Sequence, residues 1–551
     1  METRYLSTDL LIIGGGSAGC MAAIRALDLN PELDVTIFEK ADIKYSGSIA
    51  RGMDALNVVV IPNFTSAELY LEHVTEICQG VVDAAPSYVM AKRSFDLLKE
   101  LEAWGVHFPV DESGQYRTLQ MGPKGSFLTT MEEPDLKIMV SRKAQEKGAK
   151  AINRVMGIQL LLDDGRVAGA IGLNVRNGEL VVCQAKAVII TAGSQARFSL
   201  PNSGYLHGTF DCPANSGDSY AVAFRAGARL TGMESALRHL LIKDANMPLL
   251  AIAITRGGRL IDVFEKTLMQ GEIRSFGIME EVHEAGLGPL RIRTKDLPEE
   301  SIKEIEEILF TTERPVQERF FRGRGVDFRK SDIELWPTEY QLCGGHGMSG
   351  IMIDQRAETG VPGLYAAGDA ACVPKQYLTG AFVFGQIAAE NAVAFIARNR
   401  NLKLDDASVK EAEKKRNHRR HAAGRFIPVQ QLEYKVRRLI SDYLVTPKNE
   451  HKLKRWLDWS HQFKDEIQDQ VAVENANQLT RLYEVDHIVA CADFNAMAAL
   501  ERKESRWGQA HRRADFQQRD DDNWLRHVVL QRGGDDREIV VSTSPVNRSI
   551  D

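Results

Sequence analysis

The stretch QLCGGHGMSGIMID, residues 341–354, sets a single histidine, His346, among four glycines. An imidazole with an ordinary pKa of ~6.5 can pass a proton, or donate a hydrogen bond to an anion, near neutrality. Glycine is used where a backbone takes positive φ or approaches something closely. The sequence therefore predicts a tight loop that presents His346. A second group, Arg238, His239 and Lys243, lies in MESALRHLLIKDANMP (233–248). Such a basic patch can bind an anionic substrate, or can pair with nearby acids such as Glu234 and Asp244. Arg256 and Arg259 flank a Gly-Gly turn and read as surface charge, with contact to a carboxylate as the alternative. Asn57, which closes SGSIARGMDALN (46–57), is a polar candidate for the same site. The basic run EKKRNHRRH (413–421) reads as a solvated helix face, with docking of an acidic electron carrier as the alternative.

These side chains need a scaffold. Residues 9–13 (DLLII) read as a strand, followed by GGGSAG, the helical run GCMAAIRALDL and a second strand, DVTIFEK. Gly14, Gly16 and Gly19 have the G-x-G-x-x-G spacing, enclosing Ser17 and Ala18. The first glycine makes the turn, the second admits a pyrophosphate, and the third packs helix against strand. The helix N-terminus supplies N–H groups to the phosphates. Glu39, 25 residues beyond Gly14, is placed to accept ribose hydroxyls, with Lys40 beside it. Two distant pieces favour FAD over NAD. KAVIITAG (186–193) ends a strand at Ala192 and Gly193. VPGLYAAGDAACVPKQYLTGAFVFGQIAAE (361–390) supplies Gly368 and Asp369 after a strand, then a helix opened by Thr379, Gly380, Ala381 and Phe382. Asp369 suits the ribitol–phosphate region, and the helix N–H groups suit the N1/O2 edge of the isoalloxazine. The glycines around His346 are expected to let the backbone pass close to that ring. One G-x-G-x-x-G argues against a separate NAD(P)H domain.

The 551 residues suggest three or four domain-sized units. Periodicity predicts an amphipathic helix over 66–107, a β-meander over 154–192 with Asp-Gly and Asn-Gly turns, and helices at 216–230 and 299–310. Short strands are expected near 350–354 and 363–367, a helical bundle over 407–505, and an extended polar tail. The fold class is α/β. A FAD-binding Rossmann-like domain (1–202 and 341–405) carries an inserted α+β capping domain (203–340), then a C-terminal helical domain (406–530) and a tail (531–551). Net charge is −6, from 69 Lys+Arg and 75 Asp+Glu, so no global field attracts nucleic acid. The seven cysteines contain no CxxC pair, which argues against disulfides, a metal site or a cluster. The opening METRYLSTDLLIIGGG lacks a signal-peptide pattern, and no run approaches the ~18–20 apolar residues of a membrane span. A reduced, cytoplasmic enzyme is expected.

SGSIARGMDALN, NSGDSYAVAFRAGA (215–228) and ESRWGQAHRRADFQQRDDDNWLRH (504–527) resemble the succinate dehydrogenase/fumarate reductase flavoprotein family across nearly the whole chain. Within it, SGSIARGMDALN and MESALRHLLIKDANMP are most similar to the adenylylsulfate reductase alpha subunit. The resemblance implies FAD, hydride exchange at N5, and a capping domain over the flavin. It also implies cofactor contacts from Ser46, Gly47, Ser48, Arg51, Gly52, Val155 and Asp218, and a His346 loop on the active face of the ring. Since no cluster ligands are present, it implies a separate iron–sulfur, ferredoxin-like partner. Three departures stand out. Ser46 occupies the place of the covalent-flavin histidine, so FAD is expected to be noncovalent. Met279 aligns with the acid arginine of fumarate reductases. Leu241 stands where adenylylsulfate reductases carry a substrate arginine, and Phe210 near their flavin-side tryptophan.

Overall fold

The computed structural model describes residues 3–550 except 52, 54, 120–123, 202–208, 210, 246–247, 271–281, 283–284, 314–316, 400–404, 421–423 and 535–537. The apolar run predicted first forms β1 (Thr3–Ile13), which leads through the glycines into α1 (Ser17–Leu29) and then β2 (Val35–Glu39). β1 pairs in parallel with β2 and with Leu180–Ile190, and its last residue, Ile13, stands opposite both Phe38 and Ile190. Leu364–Ala366 joins the sheet with Ala366 opposite Ile190, and Lys150–Asn153 joins with Asn153 opposite Glu39. Five parallel strands thus finish at one level. Leu10–Ile13 and all of β2 are buried, as strands covered on both faces must be.

The predicted meander is present as the antiparallel strands Val155–Asp163, Arg166–Asn174 and Leu180–Ile190. Its first turn places Asp164 and Gly165 at φ of 50° and 73°, the doubly positive geometry of a tight hairpin. Against this sheet lie α1 and the helix Tyr377–Arg398. Their approach depends on glycine: a Cβ on Gly385 would lie 2.6 Å from the Ala18 carbonyl oxygen. Tyr377–Arg398 is also long and apolar enough to cross a membrane, contrary to the sequence expectation, yet most of it is packed inside the protein.

The chain between 240 and 337 forms a separate five-stranded antiparallel sheet, in the order 240–242, 333–337, 290–293, 259–261, 267–270. It has its own core, built on Leu240, Leu260, Ile292, Phe328 and Leu335. Four helices, Asp406–Arg420, Val429–Tyr443, Glu450–Asp469 and Ala476–Glu501, follow.

Three local expectations change. The helix over 66–107 is two helices, Ala67–Ile77 and Ala84–Ala103, because Gln79 and Gly80 take φ of 49° and 86° between them. The tail is no simple extended strand. Arg526–Arg532 and Ile539–Pro545 form a hairpin that pairs with Leu230–Thr231, which in turn pairs with Gly350–Ile351 beside the His346 loop. The basic run is also not wholly solvated. Arg416 and Arg419 are buried, and Arg419 bonds Asp486 at 2.9 Å. Helical spacing places these two on the inner face, where an acid 67 residues away is waiting.

Buried ions lock the closing segment. Arg502 bonds Glu234 at 2.6 Å and Glu504 at 2.8 Å, and Arg506 bonds Glu504 at 2.6 Å, all four residues being fully or almost fully buried. Removing one partner from such a pair costs roughly 3–5 kcal/mol, since a charge is left without compensation. Lys448, wholly buried, donates to the Glu234 carbonyl at 2.8 Å and to Asn495 Oδ1 at 3.2 Å. Burial lowers its pKa to about 7; Glu234 opposes this, while Arg513 and Lys452 add to it.

Between that value and ~10.4, the unfolded chain holds a proton that the folded chain lacks. Stability should therefore rise with pH over this window, by up to ~1.4 kcal/mol per unit. Denaturation midpoints of wild type and Lys448→Met, compared from pH 7 to 9, should shift in favour of wild type as pH rises. A pH-independent gap would mean that Lys448 stays charged in the fold.

Candidate active site

The level strand ends bring Gly14, Glu39, Thr191 and Gly368 together at one edge of the sheet. The three glycines of the first loop meet different constraints. Gly14 has φ of +108°, and a Cβ there would lie 2.5 Å from the Thr191 carbonyl. A Cβ on Gly19 would lie 1.9 Å from the Gly14 carbonyl, so this residue sets the helix–strand approach. A Cβ on Gly16 would meet nothing within 4 Å, so the loop is open where a pyrophosphate would lie. Ser17 and Ala18 open α1, whose N-terminus has no side-chain cap. Glu39 is buried and held in place, accepting from Gly15 N–H at 2.8 Å and Ala41 N–H at 2.7 Å. Gly47, with φ of +80°, packs against the Cα of Gly16. Ser46 Oγ and Ser194 Oγ are buried beside this loop system with no hydrogen-bond partner among the described residues. Ser48 Oγ donates to Asp211 at 2.9 Å.

Lys40 and Asp218, both assigned to the cofactor from sequence, have their charged ends joined to each other at 3.0 Å. Lys40 also bonds Glu484 at 2.6 Å, and Asp218 bonds His487 at 2.8 Å. Burial alone would lower Lys40, but Asp218 and Glu484 outweigh it and hold the ammonium charged. Burial would raise Asp218; Lys40 and His487 instead hold it well below the usual carboxylate range. From Glu484 the chain of ions runs through Arg197 (2.5 Å), Glu433 (3.1 Å) and Arg437 (3.3 Å) to Glu339 (2.7 Å). Val155 is buried next to the residues leaving β2, since Arg154 N–H bonds the Ala41 carbonyl at 3.0 Å. Ala192 is partly exposed at a strand end, and Gly193, with φ of +80°, faces Asn215.

At the other end, the helix opened by Tyr377 also starts without a side-chain cap. Gly368 (φ +65°) lies between Ala18 and Ala381, so the two helix N-termini converge on one cleft. Gln376 donates to the Gly368 and Ala371 carbonyls at 3.0 Å each, welding loop to helix. Thr379 Oγ1 accepts Val58 N–H at 3.4 Å, which sets the part-buried Asn57 beside this end; Gly380 and Phe382 follow, buried.

The glycines around His346 meet a packing constraint within the chain itself. None has positive φ; a Cβ on Gly344 would lie 2.0 Å from the Ala371 carbonyl, and one on Gly345 would lie 1.8 Å from Asp369 Oδ1. They allow the loop to lie against residues 369–371. The His346 ring then stands edge-on to His239 (centroids 5.4 Å, 80°) and to Tyr377 (5.2 Å, 74°). Lys375 donates to the His346 carbonyl at 2.7 Å, and both Lys375 and Tyr377 hold strained left-handed φ of 61° and 51°. Arg238 lies over the Tyr340 ring at 4.9 Å. Behind the loop, the Cys343 thiol is pushed far up by burial, with Asp369 and Asp211 adding to this.

Lys243 turns instead into the inserted sheet, to Glu334 at 3.0 Å; the acids suggested for it are taken by others, Glu234 by Arg502 and Asp244 by Arg324. Arg256 pairs with Glu304 and Arg259 with Asp296. Leu241 is buried opposite Trp336. Gly52, Phe210 and Met279, and the Arg51 side chain, lie outside the described residues. Sequence reading missed Lys137, which is buried and donates to the Gly15 carbonyl from a helix over 100 residues away. It also missed Gln341, Gln376 and Tyr377, whose roles come from contacts that no local pattern encodes.

The open Gly16, the two uncapped helix ends, the fixed Glu39 carboxylate and the unpartnered Ser46 and Ser194 hydroxyls together fit FAD. Gly16→Val should fold with near wild-type stability and lose most bound FAD, read as flavin absorbance per polypeptide. Gly19→Ala should lose stability as well, by roughly 1–3 kcal/mol, because helix and strand must part. Equal stability loss in both would contradict the open-loop assignment.

A model described as FAD binding domain matches residues 9–269, and one described as fumarate reductase flavoprotein C-term matches residues 433–550. The chain is 26% identical to an uncharacterized FAD-dependent oxidoreductase of Methanocaldococcus jannaschii over 96% of each protein. It is 25% identical to a fumarate reductase flavoprotein subunit of Mycobacterium tuberculosis, over 96% of this chain and 95% of that one. Adenylylsulfate reductase of Archaeoglobus fulgidus has the same fold, with a TM-score of 0.88, 23% identity, and coverage of 100% and 97%. The cradle, the cofactor it fits and these likenesses agree: the chain belongs to the succinate dehydrogenase/fumarate reductase flavoprotein family and is an FAD-dependent oxidoreductase.

Proposed function

We propose that the enzyme exchanges a hydride between FAD and a small anionic substrate, in the manner of the adenylylsulfate reductase branch, with electrons passing to or from a separate iron–sulfur, ferredoxin-like protein. The observation that carries this is the convergence of His346, His239 and Tyr377 on the cleft where the two helix N-termini meet. FAD, when bound, supplies the hydride acceptor or donor.

The chain's own groups supply the rest. Gly14, Gly16, Ser17, Ala18 and Gly19 hold the pyrophosphate, and Glu39 the ribose, with Lys40, Val155, Ala192, Gly193 and Asp218 framing the adenosine end. Ser46, Gly47, Ser48, Arg51, Gly52, Gly368 and Asp369 hold the middle, and Thr379, Gly380, Ala381 and Phe382 the ring. Ser46 offers no imidazole for a flavin link, so the cofactor is noncovalent. The N-terminus of the Tyr377–Arg398 helix favours negative charge at the ring edge by ~0.3–1 kcal/mol, more where buried. His346 holds or moves a proton at an imidazole nitrogen, Arg238 and His239 attract the substrate anion, and Asn57 orients it by hydrogen bonding. The seven cysteines are all free, which fits a reducing, cytoplasmic setting and leaves the onward electron carrier to another protein.

A dicarboxylate reaction of the fumarate reductase, succinate dehydrogenase or L-aspartate oxidase kind is the second reading, favoured by the C-terminal family match. A flavin-carrying relay role within a complex is a third.

Denaturing the holoenzyme should release all FAD into the supernatant. Turnover is tested with fumarate, succinate, L-aspartate and adenylylsulfate against reduced or oxidised dyes and ferredoxin. His346→Ala should lower turnover by about 10²–10⁴-fold with normal FAD content. Unchanged turnover would favour the relay reading, and full turnover with NADPH alone would remove the iron–sulfur partner.

A further inference from the structure

Gln341 was not among the sequence candidates, yet it is 1% exposed and sits five residues before His346, at the start of the same loop. Its backbone is locked to the basic segment: Leu237 and Gln341 exchange reciprocal hydrogen bonds of 2.9 and 2.8 Å. Two residues on, His239 N–H donates to Thr338 Oγ1 at 2.9 Å, and Thr338 N–H to the His239 carbonyl at 2.8 Å. This ladder fixes where the His239 Cβ emerges. The side chain of Gln341 then reaches across it, placing its amide nitrogen 3.2 Å from Nε2 of His239. The ring so held is the one standing edge-on to His346.

An amide nitrogen carries two N–H groups and accepts nothing, so the contact requires a bare Nε2 and puts the neutral ring's proton on Nδ1. We propose that Gln341 is a positioning residue for the active site: its amide fixes the tautomer and orientation of His239, so that His239 and His346 form a two-histidine recognition site for a small oxyanion. The pairing rests on the reading of this cleft as the substrate site. Gln341 acts through His239 and touches no substrate. Leu241 lies two residues beyond His239 and is buried, so the neighbouring position adds apolar wall and no charge. Recognition then falls to imidazole donors and Arg238, which suits an oxyanion bound by hydrogen bonds.

Selective ¹⁵N-histidine spectra of the FAD-loaded protein test the contact, with the His239 signals assigned by their loss in His239→Gln. Wild type should show an unprotonated Nε2 and a protonated Nδ1 at neutral pH. In Gln341→Glu the new carboxylate only accepts, so the proton should move to Nε2. A protonated Nε2 in wild type, or no tautomer change in Gln341→Glu, would overturn the role of Gln341. Sulfite and fumarate, titrated by perturbation of the flavin spectrum, test the site itself. Gln341→Leu should weaken either anion about tenfold, the scale of one hydrogen bond, with FAD content unchanged. If neither anion binds wild type, the oxyanion reading fails, while the nitrogen spectra still decide the tautomer.

Discussion

The level ending of the parallel strands is the constraint on which this molecule depends. Because Ile13 stands opposite both Phe38 and Ile190, and Ala366 opposite Ile190, loops widely separated in sequence must leave the sheet side by side. A slip of one residue would turn every side chain of a strand to the other face, burying polar groups and exposing apolar ones. The register is therefore enforced by the core, and the site inherits its accuracy. The close crossing of α1 and Tyr377–Arg398, set by Gly385 and Gly368, then aims two helix ends at one cleft.

A second constraint ties this edge to the rest. The buried ions from Lys40 through Glu484, Arg197, Glu433 and Arg437 to Glu339 connect the end of β2 to the C-terminal helices and back to the base of the inserted sheet. Glu339 lies seven residues before His346. Exposed pairs such as Lys243–Glu334 are worth ~0–1 kcal/mol, whereas members of this chain cannot be removed singly without stranding a buried charge. The helical region thus acts as a brace under both the Lys40 end and the His346 end of the site.

Much of this was legible in the residues. The strand–GGGSAG–helix–strand–Glu39 order, the hairpin turns and the small-residue helix after Gly368-Asp369 each encode their structure locally, through periodicity and glycine geometry. His346 and His239 were legible as chemistry. Their meeting was not, because it depends on a ladder between residues 237–242 and 335–341. Lys40 and Asp218 show the same limit: they are expected at the cofactor, while the partners that hold their charges, Glu484 and His487, lie hundreds of residues further along and could not be read locally. The basic run 413–421 looked solvated because its inner acid, Asp486, lies 67 residues from Arg419, on another helix.

The sequence by itself determined the cofactor class, the nucleotide-binding fold and the histidine loop, since these rest on short-range rules of turn, period and helix start. Only the tertiary structure decided which charges are braces and which face the cleft, why the glycines of the His346 loop must be glycines, and that Gln341 holds His239. Those outcomes follow from long-range pairing and close packing, where a few ångströms between distant segments choose each side chain's partner.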